Sequence, residues 1–202
     1  MASRAKDKAH PPAGKVTSPM RSDARRNEMA IVKAAKTEFA KNGVDVPVRV
    51  IAASAGVGMG TLYRHFPKRS DLIVAVFRRE IDACADDAAT FASTKAPLAA
   101  LAAWLQRYAE FIETKHGFSA ALHSGDPDYD ELPIHFRMRF EPALENLLET
   151  ARSAGVVRAD VTAFDLLRGI GNLATASGPG GPAHVRVMLG LIVDGLTVMR
   201  AD

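Results

Sequence analysis

From residue 22 onward, apolar residues recur at three- and four-residue intervals, the repeat of one face of an α-helix. Val32, Ala35 and Phe39 step along such a face, and Ile31 and Ala34 widen it. Ser22 or Asp23 is expected to cap the start, with Asp23 suited to the positive end of the helix dipole. Asn42-Gly43 supplies the stop, because glycine enters the left-handed conformation without steric cost. A short second helix fits residues 48–55, where Val48, Ile51 and Ala52 share a face and Gly56 closes it. Pro47 stands immediately before it, and proline geometry is expected to brace that helix start. A third short helix fits residues 61–66, with Leu62 and Phe66 one turn apart. After Pro67 a longer helix is expected from about Ser70, carrying Ile73, Phe77, Ile81 and Cys84 in one stripe.

The second half keeps the same period. Leu98, Leu101, Leu105, Tyr108 and Ile112 form a continuous seam. Phe140, Leu144, Leu147, Leu148 and Ala151 mark another helix, ended by Gly155. Two more are expected over residues 162–177 and 183–199, separated by Gly178-Pro179-Gly180-Gly181-Pro182. No stretch alternates as a turn-bounded strand would, so the fold class is all-α. Residues 1–21 have no apolar period, three prolines and five basic side chains, and read as a disordered basic arm. The expected domains are this arm, a unit over 22–68, and a helical unit over 69–202 joined to it by the helix from about 70 to 88.

Composition narrows the class. Apolar residues make up 48% and charged residues 24%, ordinary values for a globular chain. The single Cys84 excludes an intramolecular disulfide. No run approaches the eighteen or so apolar residues of a membrane span, so a cytoplasmic protein is expected. The net charge of +3 conceals a division. Residues 1–79 hold 16 Lys and Arg against six acids, a net of +10, and the remainder is at −7. A basic first third on an acidic remainder is the asymmetry of a module that meets a polyanion.

The informative segment is Ile51-Ala-Ala-Ser-Ala-Gly-Val-Gly-Met-Gly-Thr-Leu-Tyr-Arg-His-Phe66. Two short helices meeting at a glycine turn have the form of a helix-turn-helix, whose second helix enters the DNA major groove. Leu62 and Phe66 would hold that helix to the core, which turns Met59, Gly60, Thr61, Tyr63 and Arg64 outward. AGVGMGTLYRHF, preceded by an Ile-Ala pair and followed by Lys68, Arg69 and Asp71-Leu72, resembles the DNA-binding domain of the tetracycline-repressor-like (TetR) transcriptional regulators. The resemblance runs over about residues 25–77, including AAKTEFAKNG at the end of the first helix. Beyond it, only GVVRADVTAFDLL and LIVDGLTVM resemble the family's second half.

The resemblance implies DNA contacts at Thr61 and Tyr63, and phosphate clamps at His65 and at Lys68 or Arg69. Met59 and Arg64 are the candidates for base reading, since an arginine can engage guanine through two hydrogen bonds. Arg49, Gly58 and Gly60 complete the candidate DNA surface. The partners expected are a double-stranded operator, a small-molecule effector and a second copy of the chain, with no cofactor and no membrane. Trp104, Tyr108 and Phe111 on one helix, with His123, Phe136 and Phe140, are the candidate effector contacts; the same aromatics could equally fill the core. The final helix is apolar on two faces, Met188, Ile192 and Met199 on one and Val187, Leu191 and Val198 on another. The resemblance implies that the last two helices pair between subunits, with Leu167, Met188, Leu191, Ile192, Leu196 and Met199 as candidate interface residues.

Competing readings are weaker. Gly56-Val-Gly-Met-Gly imitates a dinucleotide-binding loop, but no strand precedes it. The six histidines include no HExxH pair. Asp126, Asp128, Asp130 and Glu131 lack the spacing of a calcium loop and read as a solvated acidic turn. A nonspecific architectural DNA-binding protein or a small helical enzyme would leave the helix-turn-helix spacing unexplained.

Overall fold

A computed structural model describes residues 19–113, 127–175 and 181–198 of the chain. Among them the regular elements are α1 (Pro19–Asn42), α2 (Val48–Ser54), α3 (Met59–His65), α4 (Arg69–Thr94) and α5 (Pro97–Glu113). A 3₁₀ turn at Pro127–Tyr129 then leads into α6 (Glu131–Ser153), α7 (Ala163–Thr175) and α8 (Gly181–Leu196). The basic arm, save for the start of α1, lies outside the described residues. Helix α1 begins three residues before Ser22, at a proline that suits a first turn because it has no N–H to leave unbonded.

Local chemistry sets the short elements. Pro47, at φ −58°, opens α2 without a side-chain cap, and its carbonyl accepts the N–H of Val50 at 2.9 Å. Helix α2 ends in a Schellman turn: Gly56 N–H donates to Ala53 and Val57 N–H to Ala52, at 3.1 and 3.0 Å. That closure needs Gly56 at φ +68°, where a side chain would be strained. Gly58 then opens α3, its carbonyl accepting from Thr61 and Leu62.

The buried residues fall into two cores. The first joins Ile31, Phe39, Ile51, Leu62, Phe66 and Phe77, and also takes in Leu132 from the start of α6. The second gathers α5 and the rest of α4 and α6 with α7 and α8, around Trp104, Tyr108, Phe140 and Leu144. Helix α4 therefore serves both cores, and the first extends along it to Phe77, well beyond residue 68. Tyr129 also packs against the first core, so the turn before α6 belongs as much to the unit built on that core, the head, as to the unit built on the second, the body.

Charged pairs set the register of α4 against α6. Asp82 accepts from His135 at 3.0 Å and Arg139 at 2.7 Å, Arg139 reaches Asp86 at 2.6 Å, and Arg78 pairs with Glu131. These partly exposed pairs contribute orientation more than stability. At the far end, an antiparallel bridge between Val157 and Thr197 ties the end of α8 to the α6–α7 connection.

Candidate DNA interface and aromatic core

Helix α3 is anchored on one side by Leu62, which is almost wholly buried, and on the other it projects into solvent. Tyr63 is 50% exposed, Met59 38% exposed, and Arg64 and Gly60 lie on the same outward surface. Arg64 folds back along its own helix, its Nε donating to the Gly60 carbonyl at 3.1 Å and its terminal Nη2 to Thr61 Oγ1 at 3.2 Å. Thr61 and His65 are half-buried at its flanks, while Arg49 on α2 and Gly58 in the turn are exposed.

The two cations after α3 are already engaged within the molecule. Arg69 donates to the carbonyls of Val44 and Val46, the latter at 2.8 Å, and so ties the start of α4 to the loop ahead of α2. It is thereby a positioning group for the helix-turn-helix. Lys68 Nζ bonds both oxygens of Asp128, at 2.9 and 3.1 Å, while its backbone N–H donates to Asp71 at 2.8 Å. Ser70 Oγ donates to the same Asp128 carboxylate at 2.6 Å. The hydrogen bond from Ser70, then that from Lys68, holds Asp128 below the usual carboxylate range. The acidic stretch expected to be a solvated turn is thus a tether, for which the sequence offered only its charge. A groove lined by His65, Phe66, Val74, Arg78, Pro127 and Asp128 runs along this junction.

The candidate effector residues form one packed cluster. Phe136 and Phe140 meet edge to face at 4.5 Å, Phe111 and Phe140 at 5.1 Å, and Tyr108 and Phe140 at 5.4 Å between ring centroids. Trp104 stacks on Tyr108 at 5.7 Å. Trp104 Nε1 donates to the Cys84 carbonyl at 2.8 Å and Tyr108 Oη to that of Leu167 at 3.0 Å, so both polar tips are satisfied. Burial, with Cys84 adding to it, pushes the Tyr108 phenol above its ordinary range and keeps it neutral. His123 lies outside the described residues. His135, beside the cluster on α6, pairs with Asp82 of α4.

On α8, Val185, Leu189 and Leu196 face inward, while Val187 and Leu191 are 64% and 60% exposed. Met188 and Ile192 lie half-buried between these faces. Two of the expected interface residues require correction: Leu167 and Leu196 fill this chain's own core, because the inward stripe of each helix takes them. Met199 lies outside the described residues. Val198, nearly half exposed, extends the outward stripe, and Phe164 adds another exposed ring on α7.

Residues 31–76 match the family described as "Bacterial regulatory proteins, tetR family". Residues 96–198 match "Transcriptional regulator SbtR-like, C-terminal domain". Over 64 residues the chain is 44% identical to an HTH-type transcriptional regulator of Staphylococcus aureus (strain USA300). That stretch covers 31% of this chain and 35% of that protein, so the match spans about a third of such curated relatives. Among solved structures, a TetR transcriptional regulator from Streptomyces coelicolor is 33% identical, covering 85% of this chain and 99% of its own, with a TM-score of 0.71. A TetR transcription regulatory protein from Mycobacterium vanbaalenii is 31% identical, covering 89% and 100%, with a TM-score of 0.67.

Proposed function

Because the chain belongs to the TetR family of bacterial transcriptional regulators, we propose that it is a homodimeric repressor released from its operator by a small apolar or aromatic effector. The observation that carries this reading is the outward face of α3. Met59, Tyr63 and Arg64 stand clear of the core on a helix whose opposite side is pinned by Leu62. Docked in a major groove, Arg64 exchanges its own-helix bonds for guanine N7 and O6, and Met59 packs on base edges. Thr61, Tyr63, His65 and Lys68 donate to phosphate oxygens and fix the register. Two copies joined through the exposed stripe of α8 read two half-sites of a partly palindromic operator.

The aromatic cluster is the place for an effector. A ring-bearing ligand enters by displacing one of the packed side chains, which shifts the start of α6, and that same end meets the head through Leu132, one turn before Phe136, and through Asp128 in the turn ahead of it. Such a ligand favours release only if it binds the released arrangement more tightly than the DNA-bound one. The decisive experiment is selection of bound duplexes from a random DNA pool. A partly palindromic consensus, preferred over random DNA by about a thousandfold or more, is expected. Uniform affinity for all duplexes would instead indicate an architectural protein. Addition of a ligand found by thermal shift should then lower affinity for the selected site.

A further inference from the structure

We propose that Asp128 is an internal competitor of DNA, its carboxylate holding the Lys68 ammonium where an operator phosphate would bind, so that DNA binding requires its displacement. The inference rests on the phosphate contact assigned to Lys68 above. Lys68 stands three residues beyond α3 and immediately before α4, and its side chain remains 65% exposed beside the face that meets DNA. Both carboxylate oxygens bond its Nζ, and Ser70 Oγ fixes one of them from the first turn of α4. A hydroxyl and an ammonium around two anionic oxygens are donors that a phosphate would also use. Here the anion comes from sixty residues away, in the 3₁₀ turn that leads into α6.

The contact joins the two halves of the molecule. Glu131 pairs with Arg78 one turn further along, and Leu132 is buried in the head, so the turn cannot leave Lys68 without stirring the start of α6. Occupation of Lys68 by phosphate and closure of the turn are mutually exclusive. By linkage, whatever loosens the turn strengthens DNA binding, and DNA loosens the turn in return.

The test is a double-mutant cycle read by fluorescence anisotropy with the full chain and a random-sequence duplex of about 20 base pairs, at about 50 and 150 mM salt. Asp128→Asn is expected to tighten binding by about three- to tenfold and to steepen the salt slope by about 0.9, one additional counterion released. Lys68→Ala should weaken binding in the parent, whose ammonium is already committed, by clearly less than it does in the Asp128→Asn background. Asp130→Asn, which removes an equal charge from the same turn, should have a much smaller effect than Asp128→Asn. Ser70→Ala, which loosens the carboxylate and leaves Lys68 intact, should tighten binding in the same direction, and thermal melts check that each variant folds. If Lys68→Ala weakens binding equally in both backgrounds, the competition is overturned while the phosphate contact stands. If it changes nothing even beside Asp128→Asn, the phosphate contact itself is wrong and the proposal falls with it. Equal gains from Asp128→Asn and Asp130→Asn would reduce the effect to general charge repulsion and overturn it.

Discussion

At the scale of single residues, a side chain's role follows from whether its polar groups already have partners. Arg64 spends its donors on a carbonyl and a hydroxyl of its own helix, exposed to water and cheaply replaced. Arg64→Ala is therefore expected to leave folding intact and to relax base preference at one operator position by about 1–3 kcal/mol, as binding to substituted duplexes would show. Tyr108 is the opposite case. Its buried hydroxyl serves Leu167, and Tyr108→Phe should cost about 1 kcal/mol in urea unfolding at pH 7. The pH dependence has a definite sign. A phenol whose folded value is raised contributes fully below its unfolded value of about 10, and that contribution is lost as pH rises beyond it. The gap between parent and Tyr108→Phe should thus be flat from pH 6 to 9 and close above about pH 10. A gap that stayed constant to pH 11 would show that burial does not hold the phenol neutral.

Among elements, the turn between α2 and α3 and the outer face of α8 do different work. The turn closes through Gly56 at φ +68°, and no neighbouring atom lies near the site of an added Cβ. Gly56→Ala therefore isolates backbone strain from steric crowding, at an expected cost of about 1–2 kcal/mol. Thermal unfolding measures that cost, and DNA affinity should fall with it because α3 is set by the same turn. On α8, Val187 and Leu191 lie one turn apart and support no contact within the protomer's core. Replacing both with Glu should yield a monomer by sedimentation with little change in helical content. A dimer that survived the double substitution would place the subunit interface elsewhere.

For the whole molecule, Leu132 is the most direct apolar link between body and head. It begins α6 yet is buried among α1–α4 residues, so Leu132→Ala should remove about 2–5 kcal/mol and do so unevenly. Hydrogen exchange should rise in α1–α3 and at the start of α6, while Trp104 and Phe140, in the other core, stay protected. Uniform loss of protection would mean that the two cores unfold as one. The charge division takes on a geometric meaning at this scale, for the acidic body places Asp128 and Glu131 directly on basic groups of the head.

The helices, their stops at Gly43, Gly56 and Gly155 and the opening of α2 at Pro47 were legible in the sequence, because each depends on neighbours within a few residues. The outward face of α3 was legible for the same reason: a helix buried on Leu62 must turn Tyr63 and Arg64 away. Periodicity could not choose between the two apolar faces of α8, and Leu167 and Leu196, expected at a partner from the family resemblance, are covered within the chain itself. Nor could it show that Arg69 bonds two loop carbonyls, or that Lys68 answers to an aspartate in a distant turn. Sequence determines what repeats along one helix. Pairings across the fold depend on how helices cross, and only the tertiary structure decided that the basic head is held by the acidic body it precedes.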